Sequence, residues 1–510
     1  MNHVKKLCCM IWILLFSNQF VYMQNVKYYV RFEDEKFIPI EQERSKVNDV
    51  DYMKVKTENE NFNIVLSKHR IKNFSQAFPT AKSEWLQKVY IIESETALID
   101  ELEKQEFRKA IPNIEPLCEP ELLYTPNDYA LAIHQTNLDL VNAKQAWDIM
   151  GNLPRIPIGV TDTYFDIFHE DLENQFIAVR GSNIRPNDSN TANHGTAVAG
   201  LLGAITNNGK GIASISLGAK ICASTNWGND NEILLLAQQG YRVINCSWLN
   251  GCAPSTIQEK LYNEIRDIWN AVVVFGAGNS TDNCGSLTAK VYPASYSSVL
   301  SVTSVNHKNP VGYMDPAGLG VEWKDCHEWI NGSGSSHHHN DAVDICAPGY
   351  CVPTTILSDL GKYTSALWGT SFAAPHVTAA VCLILSINPC LSAEQAMNIV
   401  KNTADASIYS IPYNAPFIGL LGTGRLDVAA ACLSAAQTAT RTFSTPSTLS
   451  GTQTIQANYA IRTTAPVQLS SGANILFKTR KEVEITAGFE VPIGATFEIN
   501  VDPNNGVICN

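Results

Sequence analysis

Six short, predominantly apolar runs, 156–161, 220–224, 242–247, 271–275, 299–303 and 343–346, recur through the middle of this 510-residue chain, with helical segments between them. A strand with one face in water alternates apolar and polar residues, whereas a strand covered on both faces reads as continuous. The pattern therefore predicts an α/β fold: a mostly parallel sheet with helices on both faces. Two of the intervening helices carry serine capping boxes, Ser255 with Gln258 and Ser392 with Gln395. With 45% apolar and 17% charged residues the composition is that of a globular protein, and the length allows several domains.

Three polar residues stand at the ends of such elements. Ser371, in Gly369-Thr-Ser-Phe-Ala-Ala-Pro375, sits where a helix carrying the apolar run Val377–Ile387 begins. Unpaired N–H groups and the positive dipole end there favour negative charge developing on a substrate. Asp162 closes the strand Ile156-Pro-Ile-Gly-Val-Thr-Asp162, and His194 heads the small-residue helix Asn193-His-Gly-Thr-Ala-Val-Ala-Gly200. A serine hydroxyl needs a base to become a nucleophile, and the base needs an orienting group. Taken singly, these are also what a strand-to-helix turn, a capping aspartate and a buried histidine look like.

The order Asp, His, Ser and the three flanks resemble the subtilisin-like (S8) serine proteases. His169-Glu-Asp-Leu172 is similar to the family's H-P-D-L, and Gly276-Ala-Gly-Asn279 resembles its oxyanion-hole segment. The resemblance implies Ser371 as nucleophile, His194 as base, Asp162 as its orienter, and the Asn279 amide with the Ser371 N–H as oxyanion donors. It places Ser247, Trp248 and Leu249 on one wall of the substrate pocket and Gly276, Ala277 and Gly278 on the other. Leu249 stands where the family usually has glycine, which narrows the pocket mouth, and the absence of an acidic cluster in either segment points to broad or apolar specificity. Protein or peptide substrates and an acyl-enzyme follow.

A net charge of −12 argues against nucleic-acid or anionic-membrane partners. Met1–Lys6 followed by the short apolar stretch Leu7–Phe16 reads as a secretory signal ending near residue 24, and no later segment reads as a membrane anchor. The expected location is secreted, extracellular or cell-surface. Beyond Cys8 and Cys9, twelve of the fourteen cysteines remain for disulfides in that setting. The resemblance brings Cys252 and Cys284 together; Cys326 with Cys351 and Cys390 with Cys432 are further candidate pairs. Cys222, Cys246, Cys346 and Cys382 lie in apolar runs and read as small buried side chains.

Along the chain, residues 25–118 are similar to the inhibitor-like propeptide of subtilisins. There Lys88–Glu93 reads as a strand, Ser94–Glu103 as a serine-capped helix, and Lys109–Pro116 as a returning strand, after a hairpin of Tyr28–Phe32 with Phe37–Ile40. A permanent N-terminal domain is the alternative. The peptidase domain is expected over 119–437, with cleavage between Cys118 and Pro126, a Ser/Thr-rich linker over 438–454 and a small all-β module over 455–510. In that module Val467-Gln-Leu-Ser-Ser-Gly472 recurs as Val483-Glu-Ile-Thr-Ala-Gly488, a period of 16, and its partner is unknown. No cofactor is needed for the chemistry. The resemblance implies a structural Ca2+ with Asp171 as one ligand, although the loop Thr206–Gly211 reads as shorter than a calcium-binding one and Asp171 also reads as a surface carboxylate. His337-His-His339, with Cys326, His327 and Asp341 nearby, has zinc-ligand chemistry but reads better as a mobile polar insertion. The competing class is a proteolytically silent binding or adhesion protein; the intact Asp162, His194, Asn279 and Ser371 favour the enzyme, and a narrow processing protease is the third reading.

Overall fold

The computed structural model describes residues 26–47, 50–94, 98–116, 124–129, 135–279, 284–306, 337–485 and 488–509. The expected signal peptide, Cys118 and Cys326 lie outside these residues, as does most of the expected cleavage segment.

Strands Ile158–Thr161 (β1), Phe176–Arg180 (β2), Ile221–Ser224 (β3), Val243–Cys246 (β4), Val272–Gly276 (β5), Leu300–Val305 (β6) and Ile345–Pro348 (β7) form one parallel sheet in the order β7-β6-β5-β4-β1-β3-β2. Six of them are the apolar runs, and every residue in those six is buried. The seventh, β2, is an edge strand without a buried residue, so no apolar run announces it. The longer helices around the sheet are Ala143–Met150 (α1), Ser189–Gly203 (α2), Asp230–Gln238 (α3), Thr256–Asp267 (α4), Thr370–Ile387 (α5), Ala393–Asn402 (α6) and Val428–Thr438 (α7). Side chains alternate between two cores: Val243, Val272 and Val274 meet α1, α2, α5, α6 and α7, while Ile244, Val273 and Phe275 meet α3 and α4. Every residue of α5 except Ser371 is buried. Among the described residues α5 is the one helix long and apolar enough to cross a membrane, and here it forms the centre of the main core.

Strand order reverses around β1, which lies between β4 and β3. In open α/β sheets the crevice beyond the carboxyl ends of the strands at such a reversal is where ligands bind.

Residues 26–116 form a separate six-stranded antiparallel sheet, ordered Glu41–Val47, Val50–Lys56, Ile71–Gln76, Val89–Ser94, Val26–Arg31, Asn113–Pro116. The expected hairpin at 28–40 does not form. Val26–Arg31 pairs with Val89–Ser94 and Asn113–Pro116 instead, and a 3-10 turn, Glu35–Phe37, drops Phe37 into the core. Ser94 ends a strand rather than capping a helix, and the helix after it spans only Ile99–Leu102. Phe32 lies at the centre, with ring centroids 5.6–6.3 Å from Phe37, Phe62, Phe74 and Tyr90.

The C-terminal module is a three-sided parallel β-helix of three coils. Arg441–Phe443, Ser447–Leu449 and Thr452–Ala457 make the first, Ala460–Thr463, Val467–Leu469 and Asn474–Thr479 the second, Glu482–Ile485, Phe489–Glu490 and Thr496–Val501 the third. The 438–454 stretch is therefore no linker: it holds the end of α7 and most of the first coil. Val467 lies against Phe489 and Asn474 against Thr496, a step of 22 residues. The period of 16 was the distance between two sides of the coil, since Val483 pairs with Ile461 rather than Val467. Ile455, Phe477 and Ile499 stack in one ladder.

This β-helix is fastened to the sheet domain. Tyr459 and Ala460 join its main core, and Tyr459 Oη donates to the Ile149 carbonyl at 3.0 Å. Buried Arg480 donates to the Ser386 carbonyl in the last turn of α5 at 3.1 Å, and Lys481 Nζ to the Asp148 carbonyl at 3.3 Å. Cys390 pairs with Cys509, not with Cys432, which is buried in α7. Cys252 pairs with Cys284 as expected.

Candidate active site

Asp162 is the first residue beyond β1, fixed by its N–H to the Ser224 carbonyl of β3 at 2.9 Å. Its Oδ1 accepts from His194 Nδ1 at 2.7 Å. That approach depends on Gly195: a Cβ there would stand 2.5 Å from the Tyr164 carbonyl oxygen and 3.2 Å from Asp162 Oδ1. The hydroxyls of Thr354 and Thr355 hold α2 from the other side, at the carbonyls of Ala197 and Thr196, 2.6 and 2.7 Å away. Thr163, which the sequence reading did not single out, donates its N–H to Asp162 Oδ1 at 2.7 Å and its hydroxyl to the Thr191 carbonyl at 2.7 Å. With Nδ1–H committed to the carboxylate, a neutral His194 carries its lone pair on Nε2. Burial alone would lower the His194 pKa, but the charge and hydrogen bond of Asp162 outweigh it and hold the ring above its ordinary value.

Ser371 lies in the first turn of α5, where its N–H has no intrahelical acceptor. Pro375 has no N–H to offer the Ser371 carbonyl, and the Ser247 hydroxyl takes that place at 2.9 Å. The Ser371 hydroxyl in turn donates to the Ser247 carbonyl at 3.3 Å. The His194 ring lies 5.6 Å from that of Phe372, the residue after Ser371. Asp162, His194 and Ser371 thus come from three distant segments to one end of the sheet.

Asn279 lies three residues past the end of β5. Its Oδ1 accepts from the Thr370 N–H at 2.8 Å and from the Thr370 hydroxyl at 3.3 Å, so the amide turns its NH2 end elsewhere. Thr370, also missed from sequence although it lies in the quoted motif, accepts from the Gly278 N–H at 3.1 Å as well. A Cβ on Gly276 would stand 2.9 Å from Thr370 Oγ1. Packing against α5 therefore requires a small residue there whatever the substrate. Of the other expected pocket residues, Ser247 is buried, Leu249 is half-buried, and Trp248 tucks its indole inward, Nε1 to Thr161 Oγ1 at 2.8 Å and the ring edge-on to Phe275.

The histidine run is not a mobile insertion. His337, His338, His339 and Asn340 are all buried. The Nδ1 atoms of the three rings engage the Ser304 hydroxyl, the Ala289 carbonyl and the His337 carbonyl respectively. His337 lies against Trp368 and His339 against Phe417, so the rings diverge. Among the described residues no group of three or more His, Cys, Asp or Glu is placed to hold a metal.

Asp171, expected as a ligand or a surface carboxylate, is fully buried. The loop after α2 wraps it: Asn208 Nδ2 donates to Oδ1 at 2.8 Å and the Ile212 N–H to Oδ2 at 3.0 Å. Burial pushes its pKa up to about 7. Asp128, also buried, accepts from the Asn208 N–H at 3.1 Å, while its Oδ1 has no hydrogen-bond partner among the described residues. Asp128 and Asp171 are thus linked through Asn208, and the orphaned Asp128 oxygen is the kind of donor a hard cation such as Ca2+ takes.

The sequence profile of the Subtilase family matches residues 155–451, more than half of the chain and all of the elements just described around Asp162, His194 and Ser371. The chain belongs to the subtilase family. Thermitase of Thermoactinomyces vulgaris is 31% identical over 296 residues, covering 55% of this chain and 92% of its own. Subtilisin DY of Bacillus licheniformis is 32% identical over 261 residues, covering 49% and 83%. The major intracellular serine protease of Bacillus subtilis is 27% identical over 282 residues, covering 52% and 79%. A solved structure described as proteases from Pseudoalteromonas arctica aligns over 61% of this chain and 100% of its own, at TM-score 0.45 and 22% identity. This subtilase is a serine-type peptidase, and the residues before 155 and after 451 lie outside the family match.

Proposed function

We propose that the chain is a secreted endopeptidase, made as a zymogen, in which Ser371 attacks the scissile carbonyl, His194 takes and returns the proton, and Asp162 orients His194. The observation that carries this is the 2.7 Å contact of His194 Nδ1 with Asp162, which leaves Nε2 as the basic end of a ring lying beside the Ser371 turn. As Ser371 Oγ bonds to the carbonyl carbon, its proton passes to Nε2, and Asp162 stabilises the resulting imidazolium. The oxyanion is met by the Ser371 N–H and the Asn279 NH2, the latter aimed by Thr370 holding its carbonyl end. His194 then protonates the leaving amine, and water repeats the sequence to release the acyl group. Peptide substrates lie between Ser247–Leu249 and Gly276–Gly278, with broad or apolar preference.

Secretion rests on this chain's own features, since one relative is named as intracellular: the N-terminal charged and apolar stretch, and two disulfides joining distant segments. Residues 25–118 are the inhibitory propeptide. Asp128, Asp171 and Asn208 would hold a structural Ca2+, whose charge would stabilise the ionised carboxylates; it takes no part in peptide hydrolysis. Active-site titration with a fluorophosphonate tests the enzyme: stoichiometric labelling of the mature protein, absent in Ser371→Ala, is expected. Failure of the wild type to label would leave the binding-protein reading standing.

A further inference from the structure

Asn279 belongs to a short segment running off β5, and Thr370 grips only one side of it. The opposite side is held by His337. Its backbone pairs with Asn279 in an isolated antiparallel bridge, and the next residue, His338, donates its N–H to the Gly278 carbonyl at 3.0 Å. The His337 ring is 1% exposed and touches two further elements. Nδ1 meets the Ser304 hydroxyl of β6, and the ring face tilts at 32° onto Trp368, 6.0 Å between centroids. Trp368 is bridged to Tyr350 and leads directly into Gly369, where a Cβ would stand 3.2 Å from Asn279 Oδ1.

One residue therefore joins three elements: its backbone holds the Asn279 segment, and its ring meets β6 and the turn that enters α5. Burial pushes its pKa down to about 3, so it remains neutral at any pH at which His194 can act as a base. Its Nε2 is buried with no hydrogen-bond partner among the described residues. A buried polar atom without a partner costs about 1–3 kcal/mol, set against the one contact that Nδ1 makes with Ser304. Shape and position are what it supplies.

We propose that His337 is a positioning residue for the oxyanion donor: its buried ring, locked by Ser304 and Trp368, anchors the backbone that pairs with Asn279 and so fixes where the Asn279 amide presents its N–H. An oxyanion donor must lie within about 2.7–3.1 Å of where the charge develops, and a 1 Å misplacement can lower a rate by roughly 10². The proposal rests on Asn279 being that donor.

The test is a double-mutant cycle read on a soluble peptide substrate, with kcat and KM separated. Asn279→Leu is expected to lower kcat by roughly 10²–10³ with KM little changed. His337→Ala is expected to lower kcat by about tenfold, with KM within about twofold. In the Asn279→Leu background the same His337→Ala change should alter kcat by less than about twofold, because the donor it positions is already gone. Ser304→Ala, which frees the ring without removing it, should follow the same pattern more weakly, and it stands in if His337→Ala does not fold. An equal loss in both backgrounds, a change confined to KM, or no loss at all would overturn the role of His337. Full kcat in Asn279→Leu would overturn the Asn279 reading itself, so the two failures are distinct.

Discussion

The N-terminal unit draws its hydrophobic core wholly from residues 28–111, whereas the C-terminal β-helix lends Tyr459 and Ala460 to the core of the peptidase domain. The first has six strands, its own aromatic centre and its own capped helix, with Asn59 accepting from the Phe62 N–H at 2.9 Å. The second starts two residues after α7, uses Arg480 to cap the last turn of α5, and returns its final residues to Cys390. A segment that is to be cut away must be stable or unstable by itself without taking the enzyme with it. A segment that shares core residues has no such freedom. The two ends of the chain thus differ in what they can be for, although the family match leaves both of them outside, or nearly so.

The largest effect that would break this contrast concerns the N-terminal end. Ser371→Ala should reduce peptide hydrolysis by roughly 10⁴-fold or more and, produced free of other proteases, should accumulate as an uncut precursor beginning near residue 25. Mass spectrometry of the purified chain decides: trimming between Cys118 and Pro126 in that variant would mean an outside protease does the cutting. At the other end, stopping the mature chain after Thr440 removes Tyr459, Ala460 and the Arg480 cap. It should lower the melting temperature by about 10 °C or more, while loss of residues 25–118 from the wild type should leave it nearly unchanged. Equal sensitivity to both removals would erase the distinction.

A smaller effect sharpens it from within the peptidase domain. Burial raises the folded-state pKa of Asp171 to about 7 from its ordinary 3.8, so between these values the native state holds more protons than the unfolded chain. Stability must then fall as pH rises through that window. In chelator, the melting temperature should drop by about 5 °C or more between pH 4.5 and 7, and added Ca2+ should remove the drop by stabilising the ionised form. A flat profile with and without Ca2+ would count against a cation at Asp128 and Asp171. Activity should show the opposite limb. The raised His194 pKa means its neutral form is lost as pH falls through a value above 6.5, so kcat/KM should decline on the acid side from there.

Much of the sheet was readable because burial on both faces leaves strands such as Val272–Gly276 with no polar residue to interrupt them. Where one face meets solvent the signal vanished, as in Phe176–Arg180. The β-helix was misread for a related reason. Its residues recur along each side only every 20 or 22 residues, while corners such as Gly472 and Gly488 belong to different sides and mimic a shorter repeat. Asp162, His194, Asn279 and Ser371 were legible through their motifs. Thr163, Thr370 and His337 were not, because each acts on a neighbour through a hydrogen bond or a contact that exists only once separate strands are assembled. For His337 the local sequence misled outright, since three consecutive histidines read as surface.

The Cys390–Cys509 link has one more consequence, in time rather than in energy. An endopeptidase at high concentration is exposed to its own copies, and a molecule is cut when a segment opens far enough to enter another's active site. Among the described residues the last coil is paired on one side only, which makes it a place for fraying to begin. Tying residue 509 back to Cys390, two residues before the cap of α6, closes that end into a loop with a sequence separation of 119 that includes α6 and α7. Opening then requires the coil to unwind against a fixed point, which makes the lifetime of the enzyme among its own kind depend on a single covalent bond.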